Sequence, residues 1–238
     1  MKLDILAISV HPDDVELSCA GTIIKHIKAG KKAGIIDLTR GELGTRGSGD
    51  LRIKEATAAA KVMGLSAREN LGMADGFFEY NKENQLAIVR MVRKYQPEIV
   101  LANALEDRHP DHGKAAKLIK DACFLAGLVK VETSLDGAQQ AKWRPKHVYH
   151  YIQDRFRQPD FVVDITNELD QKMKAIMAYG SQFYDPKSKE PASPISSQDF
   201  LESIRGKASV YGREIGVRYA EGFESDRVVG VEDLFDLI

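Results

Sequence analysis

Four short apolar runs, each followed across a polar turn by a segment of helical spacing, constrain this chain more than any other feature. The runs are Lys2 to Val10, Ala33 to Leu38, Glu69 to Met73 and Glu98 to Asn103. The first is apolar at Leu3, Ile5, Leu6, Ile8 and Val10, and Pro12 ends it because proline has no N–H for a sheet ladder. The helical segments are Val15 to Ala29, Leu51 to Met63, Lys82 to Tyr95 and Asp111 to Leu128. Asp50 is the expected N-cap of the second and Gly64 its stop. Such a succession predicts an α/β, three-layer Rossmann-like fold, with a mostly parallel sheet and helices on both faces. In folds of this kind, sites lie beyond the carboxyl ends of the strands.

The remaining chain is less regular. Glu42 to Gly49 is glycine-rich and polar, so it reads as a loop over the sheet's edge. Val131 to Lys146 reads as a long polar connection, and His147 to Ile152 and Phe161 to Ile165 as further strands. Asn167 is the expected cap of a helix running to Tyr179. Pro186, Pro191 and Pro194 mark 180–197 as a loop, and Phe200 to Tyr211 is helical again. No linker or repeat interrupts the pattern. A single domain over 1–238 is expected, with 1–128 forming the βα core and 129–238 completing the pocket.

Composition narrows the partners. With 34 basic and 35 acidic side chains the formal net charge is −1, which gives no electrostatic case for nucleic acid or an anionic membrane surface. No apolar stretch has the length of a membrane span, and Asp4, Asp13 and Asp14 do not suit a signal peptide, so a cytoplasmic protein is expected. Cys19 and Cys123 sit in apolar stretches and read as reduced core thiols.

The chemistry concentrates in two clusters. His11, Asp13 and Asp14 follow the first strand; His109, Asp111 and His112 follow the fourth. Two histidines and a carboxylate around an open position form a common catalytic zinc set. A divalent metal there polarises a carbonyl and acidifies water, while a spare carboxylate and histidine serve as base and oxyanion donor. The chain has neither a Gly-x-Ser-x-Gly elbow, nor a phosphate-binding glycine loop, nor a dinucleotide fingerprint after the first strand.

These clusters resemble the motifs of the LmbE-like, or PIG-L, zinc-dependent deacetylases, which remove N-acetyl groups from N-acetylglucosamine conjugates. Val10-His11-Pro12-Asp13-Asp14 is similar to the first motif and His109-Pro110-Asp111-His112 to the second. The resemblance implies His11, Asp14 and His112 as ligands of one Zn2+, with Fe2+ an alternative filling in the cell. It implies Asp13 as general base, His109 as oxyanion stabiliser and proton donor, and Asp111 as the group that holds and charges His109. It places Arg52 and Asp75 on the substrate side, where an arginine fork suits a carboxylate; Arg108 is a further substrate candidate, as are Arg40, Arg46 and Arg157. His147 and His150 read as structural.

The match is widest to the bacillithiol branch, through Asp37 to Arg46, Glu106 to His109, Gln158 to Val162, Ala178 to Phe183 and Gly216 to Phe223. The implied substrate is N-acetyl-α-D-glucosaminyl L-malate, a small-molecule amino-sugar conjugate, and the implied assembly a homo-oligomer, trimer or hexamer. Asp107 stands where mycothiol-type enzymes tend to have tyrosine, and Asp199-Phe200 where the bacillithiol branch often has Gly-Tyr. The alternatives are a deacetylase of another N-acetylglucosamine conjugate or chitooligosaccharide, a hydrolase of another amide, and a non-catalytic metal-dependent sugar-binding module.

Overall fold

The computed structural model describes residues 1–238. Nine strands alternate with seven helices in this order: β1 (Ile5–Ser9), α1 (Asp14–Ser18), α2 (Ala20–Lys28), β2 (Ala33–Thr39), α3 (Gly49–Met63), β3 (Ala67–Met73), α4 (Lys82–Tyr95), β4 (Ile99–Ala102), α5 (Pro110–Ala126), β5 (Ser134–Leu135), β6 (Ala138–Gln139), β7 (His147–Tyr151), β8 (Phe161–Asp164), α6 (Leu169–Met177), α7 (Gln198–Glu214) and β9 (Ala220–Ser225). Seven of the strands form one sheet in the order β3-β2-β1-β4-β7-β9-β8. The first five run parallel, and β9 lies antiparallel between β7 and β8. The α/β expectation therefore holds, with helices on both faces.

β1 is buried along its whole length, and apolar at all but Ser9, because both its faces are covered. Leu6 and Ile8 point into a core shared with Ile88 and Val92 of α4 and Leu118 and Ile119 of α5. Ile5 and Ala7, one residue out of phase, pack with Ile23 and Ile24 of α2 on the opposite face. A third apolar cluster joins Ala56 and Ala59 of α3 to Leu169 and Ile176 of α6 and Ile204 and Ala208 of α7. Both cysteines are buried and free, as their apolar settings suggest. No helix is long and apolar enough to cross a membrane.

Several local expectations are corrected. The first helical segment breaks at Cys19 into α1 and α2. No side chain local to Cys19 caps α2; instead Glu221 of β9 accepts from Gly21 N at 3.0 Å, Thr22 N at 2.7 Å and Thr22 Oγ1 at 2.7 Å. Lys172 of α6 pairs with the same carboxylate at 2.6 Å. Gly21 is required there, since a Cβ would lie 2.8 Å from the Ile165 side chain. Ser48, not Asp50, caps α3, its hydroxyl accepting from Leu51 N. α6 starts at Leu169 after Glu168, which makes no side-chain cap bond, so Asn167 is not its cap. The 131–146 connection holds the β5–β6 hairpin, turning at Asp136 (φ 51) and Gly137 (φ 79), the positive-φ pair that a two-residue turn demands. β9 was not expected at all.

Candidate metal centre and its pocket

β1 pairs with β2 on one side and β4 on the other, so the chain reverses its direction of winding at β1 and leaves a crevice at the β1/β4 carboxyl ends. Asn103, one residue past β4, fastens that crevice. Its Oδ1 accepts from Val10 N at 3.0 Å, and its Nδ2 donates to Asp14 Oδ2 and to Gln153 Oε1 at 3.0 and 2.9 Å. The two clusters therefore meet. The His11 and His112 ring centroids are 5.8 Å apart, and those of His109 and His112 5.1 Å.

Outer carboxylates orient both histidines expected to bind metal. His11 Nε2 lies 2.9 Å from Asp75 Oδ1, and His112 Nδ1 lies 2.6 Å from Asp107 Oδ2. Each ring thus keeps its proton on the outer nitrogen when neutral and turns the other inward. The inward atoms face one carboxylate: His112 Nε2 is 3.2 Å from Asp14 Oδ1, and His11 Nδ1 is 3.8 Å from Asp14 Oδ2. Asp14 is also held by His11 N at 3.0 Å and Gln153 Nε2 at 3.1 Å. Two imidazoles and a carboxylate, each fixed by a second hydrogen bond, form a donor set suited to a divalent transition metal. The ring nitrogens of His11, His109 and His112 also converge within 4.8 Å, as do donor atoms of His11, Asp75 and Asp111.

Charge follows the geometry. Burial works against ionising Asp14, but His112 and His11 outweigh it and hold the carboxyl well below the usual carboxylate range. His112 is pushed up to about 10, because Asp14 and Asp107 overcome the effect of burial. Burial also opposes protonation of His11, and Asp75 and Asp14 raise it nonetheless. His109 goes the other way: burial lowers it, and neighbouring His11 and His112 add to the effect.

Asp13 is separate from the donor set. It sits at φ 108, a conformation that residues other than glycine rarely adopt and that costs on the order of 1–3 kcal/mol. Burial raises its carboxyl to about 7, partly offset by Arg52. Arg52 reaches from α3 to place Nη2 2.9 Å from Asp13 Oδ2 and 2.7 Å from Gln182 Oε1. Gly41 makes room for it: at φ 63, an added Cβ would stand 2.0 Å from Arg52 Nη1.

Three expected contacts differ in the structure. Asp111 does not grip His109 through its carboxylate. Its backbone N–H donates to His109 Nδ1 at 3.3 Å, while Oδ2 accepts from Gly76 N at 3.0 Å. His109, at the N-cap of α5, consequently carries its proton on Nε2 when neutral. Arg52, placed on the substrate side by resemblance, lines the cavity but directs Nη2 to Asp13 and Gln182. Asp75 commits both oxygens to protein, Oδ1 to His11 and Oδ2 to Leu43 N at 2.9 Å. Arg108 remains at the rim, bonded to Asp154 at 2.6 Å. Arg46 anchors its loop on the carbonyls of Gln182 and Phe183, and Arg157 pairs with Glu224 and Glu106. His150 is buried with Nδ1 on Asn103 O at 2.7 Å, in keeping with a structural role.

Sequence reasoning missed Asn103, Gln153 and Gln182 and assigned no task to Asp107. Asn103 alone had a signal, a polar residue closing an apolar strand at the edge where sites form. Gln153 and Gln182, with His11, Asp13, Asp14, His109 and His112, line a cavity of about 390 Å³, walled on the far side by α7 and the 193–195 loop.

Known proteins share this fold. A conserved protein of Thermus thermophilus is 34% identical in sequence, with a TM-score of 0.86 and 98% of each chain covered. The family model of GlcNAc-PI de-N-acetylases, PIG-L, matches residues 6–123, a span that holds both clusters. The chain belongs to the PIG-L family. Among PIG-L-like relatives, the diacetylchitobiose deacetylase of Thermococcus kodakarensis is 29% identical over 92% of this chain and 81% of its own. A probable N-acetyl-α-D-glucosaminyl L-malate deacetylase 2 of Bacillus anthracis is 24% identical over 75% of this chain and 81% of its own.

Proposed function

We propose that this chain is a zinc-dependent N-deacetylase of an N-acetylglucosamine conjugate. The substrate in this reading is N-acetyl-α-D-glucosaminyl L-malate, hydrolysed to glucosaminyl malate and acetate within bacillithiol biosynthesis. One observation carries the reading: His11 Nδ1, His112 Nε2 and the Asp14 carboxylate face one another, while Asp13 stands beside them, buried and outside the set. A pure binding site has no use for such a carboxylate. Zn2+, or Fe2+ in its place, would supply Lewis acidity to the acetamide carbonyl and acidify the attacking water.

The chain's own groups account for the rest. Asp13, raised to about 7, takes the water's proton near neutral pH. Arg52 and Gln182 hold that carboxylate in place. His109, with Nδ1 occupied by Asp111 N, presents Nε2–H to the developing oxyanion, and the departing nitrogen is protonated within the same pocket. Asp111 supports through its backbone N–H and through Gly76. Arg108 on the rim meets the aglycone. The reading includes a cytoplasmic homo-oligomer, a trimer or hexamer; exposed Leu234, Phe235 and Ile238 favour association.

Metal-reconstituted turnover on the malate conjugate, N,N'-diacetylchitobiose and free N-acetylglucosamine, detected as released amine, tests this. A kcat/KM for the malate conjugate at least about tenfold above the others is expected; each tenfold is 1.4 kcal/mol of transition-state binding. Equal rates would move the natural aglycone elsewhere. Asp13→Asn should lose roughly 100- to 10,000-fold in kcat with metal content unchanged. Loss of metal in that variant would overturn the role given to Asp13.

A further inference from the structure

Four cationic side chains line the cavity; Arg52 and Arg108 are in salt bridges, and Arg46 and Lys207 are not. Arg52 pairs with Asp13, Arg108 with Asp154, and Arg46 gives both Nη groups to the carbonyls of Gln182 and Phe183 and the hydroxyl of Ser188. Lys207 differs from Arg46 in being part-exposed rather than buried. It projects from α7 and donates to the backbone carbonyls of Gln153 and Asp154 without forming a salt bridge. An ammonium has three N–H donors, so one is left for a ligand. Ser18 lines the same wall; it is 7% exposed, and its Oγ is buried with no hydrogen-bond partner. Both residues also border a smaller adjoining cavity of about 30 Å³.

We propose that Lys207, with the Ser18 hydroxyl lining the same cavity, receives a carboxylate of the substrate's aglycone, making the conjugate an anion. The inference rests on the deacetylase reading and adds the determinant of its substrate class. Position supports it. Gln153 accepts from Lys207 through its backbone carbonyl while its side-chain amide donates to Asp14 Oδ1 at 3.1 Å, so the ammonium stands one residue from the metal ligands. In a 2-acetamido sugar the aglycone begins on the carbon next to the one bearing the amide. With the amide at the metal ligands, an aglycone carboxylate stays within a side-chain length of them. A neutral disaccharide would bring only hydroxyls to this spot.

Energetics point the same way. A desolvated cation without an anionic partner is costly, and an incoming carboxylate removes that cost. Burial pushes the Lys207 ammonium down to about 8, against the pull of Asp154 and with Lys172 adding to the depression.

The test compares zinc-loaded wild type with Lys207→Met and Lys207→Arg on two probes, N-acetyl-α-glucosaminyl L-malate and its dimethyl ester. Wild type should prefer the diacid, and Lys207→Met should shrink the diacid-to-ester ratio of kcat/KM by roughly 10- to 100-fold, the range of a charge-assisted hydrogen bond. Lys207→Arg should retain part of the ratio. An equal loss on both probes, or no preference in wild type, overturns the proposal. Calorimetric binding of the same probes keeps the two readings apart. If wild type turns over neither probe, the deacetylase reading fails. The anion site then still stands if Lys207→Met weakens diacid binding selectively, and falls if it does not. A melting temperature for the variant within a few degrees of wild type excludes misfolding.

Discussion

At the scale of single residues, the site is a set of charges that only make sense together. His112 is pushed up to about 10 from an ordinary value of 6.5 because two carboxylates face it across both ring nitrogens. A metal ligand must be the neutral imidazole, so metal binding near neutral pH has to displace that proton. Titration of metal-free protein with Zn2+ at pH 7.5, in buffers of differing protonation enthalpy, should show about one proton released and an apparent affinity rising roughly tenfold per pH unit toward pH 10. The stability linkage has a matching sign. His112 is raised on folding, so its contribution to the metal-free protein is full below about 6.5 and is lost as pH climbs through about 10. Absence of proton release would mean that His112 is already neutral and that the Asp107 contact is not the ion pair drawn here.

The legibility of these residues was uneven for a physical reason. His11, Asp13, Asp14, His109, Asp111 and His112 announce themselves because each trio falls within four residues and follows an apolar run. Asp107, Asp75, Asn103, Gln153 and Gln182 do not, since each has its task through a partner from 5 to 139 positions away. Arg52 shows the limit most clearly. Glu55, three positions further along α3, bonds Ser181, while Arg52 turns inward to Asp13.

At the scale of elements, periodicity located α3, α4, α5 and the central strands to within a few residues, but ends and caps went differently. Ser48 outcompetes Asp50 as cap because its hydroxyl is three residues before Leu51, where the first free N–H groups of α3 lie. α2 borrows its cap from β9, about 200 positions away, and no local rule can find that. Glu221 there also neutralises Lys172, which is 2% exposed. Glu221→Gln should therefore strand a buried ammonium and cost about 3–5 kcal/mol, a fall in Tm on the order of 10 °C by calorimetry. Replacing Lys172 by Met and Glu221 by Gln together should recover much of that loss. A single variant melting within about a degree of wild type would remove Glu221 from the structural account.

At the scale of the whole molecule, we propose that residues 1–238 form one cooperative unit. β4 is not an edge: β7 pairs along its length, and β9 and β8 extend the same sheet. The second half also supplies Gln153 and Gln182 to the site and Glu221 to α2. A fragment ending at residue 128 should accordingly fail to fold. The full chain should lose secondary structure and tyrosine fluorescence in one coincident urea transition. A stably folded fragment, or two separated transitions, would divide the molecule after all.

The sequence by itself determined the class of fold and the two clusters of candidate metal ligands, because both are written locally. A run of period two or 3.6 shows where a strand or helix buries its face, and a histidine-carboxylate turn at a strand's end has few other uses. Tertiary structure alone decided the strand order that brings 11–14 against 109–112 and the insertion of β9. It also decided which carboxylate orients each imidazole and that Lys207 is left without a salt-bridge partner. Those depend on distances between segments far apart in the chain, and pairwise electrostatics in a buried site follows distance in space rather than separation in sequence.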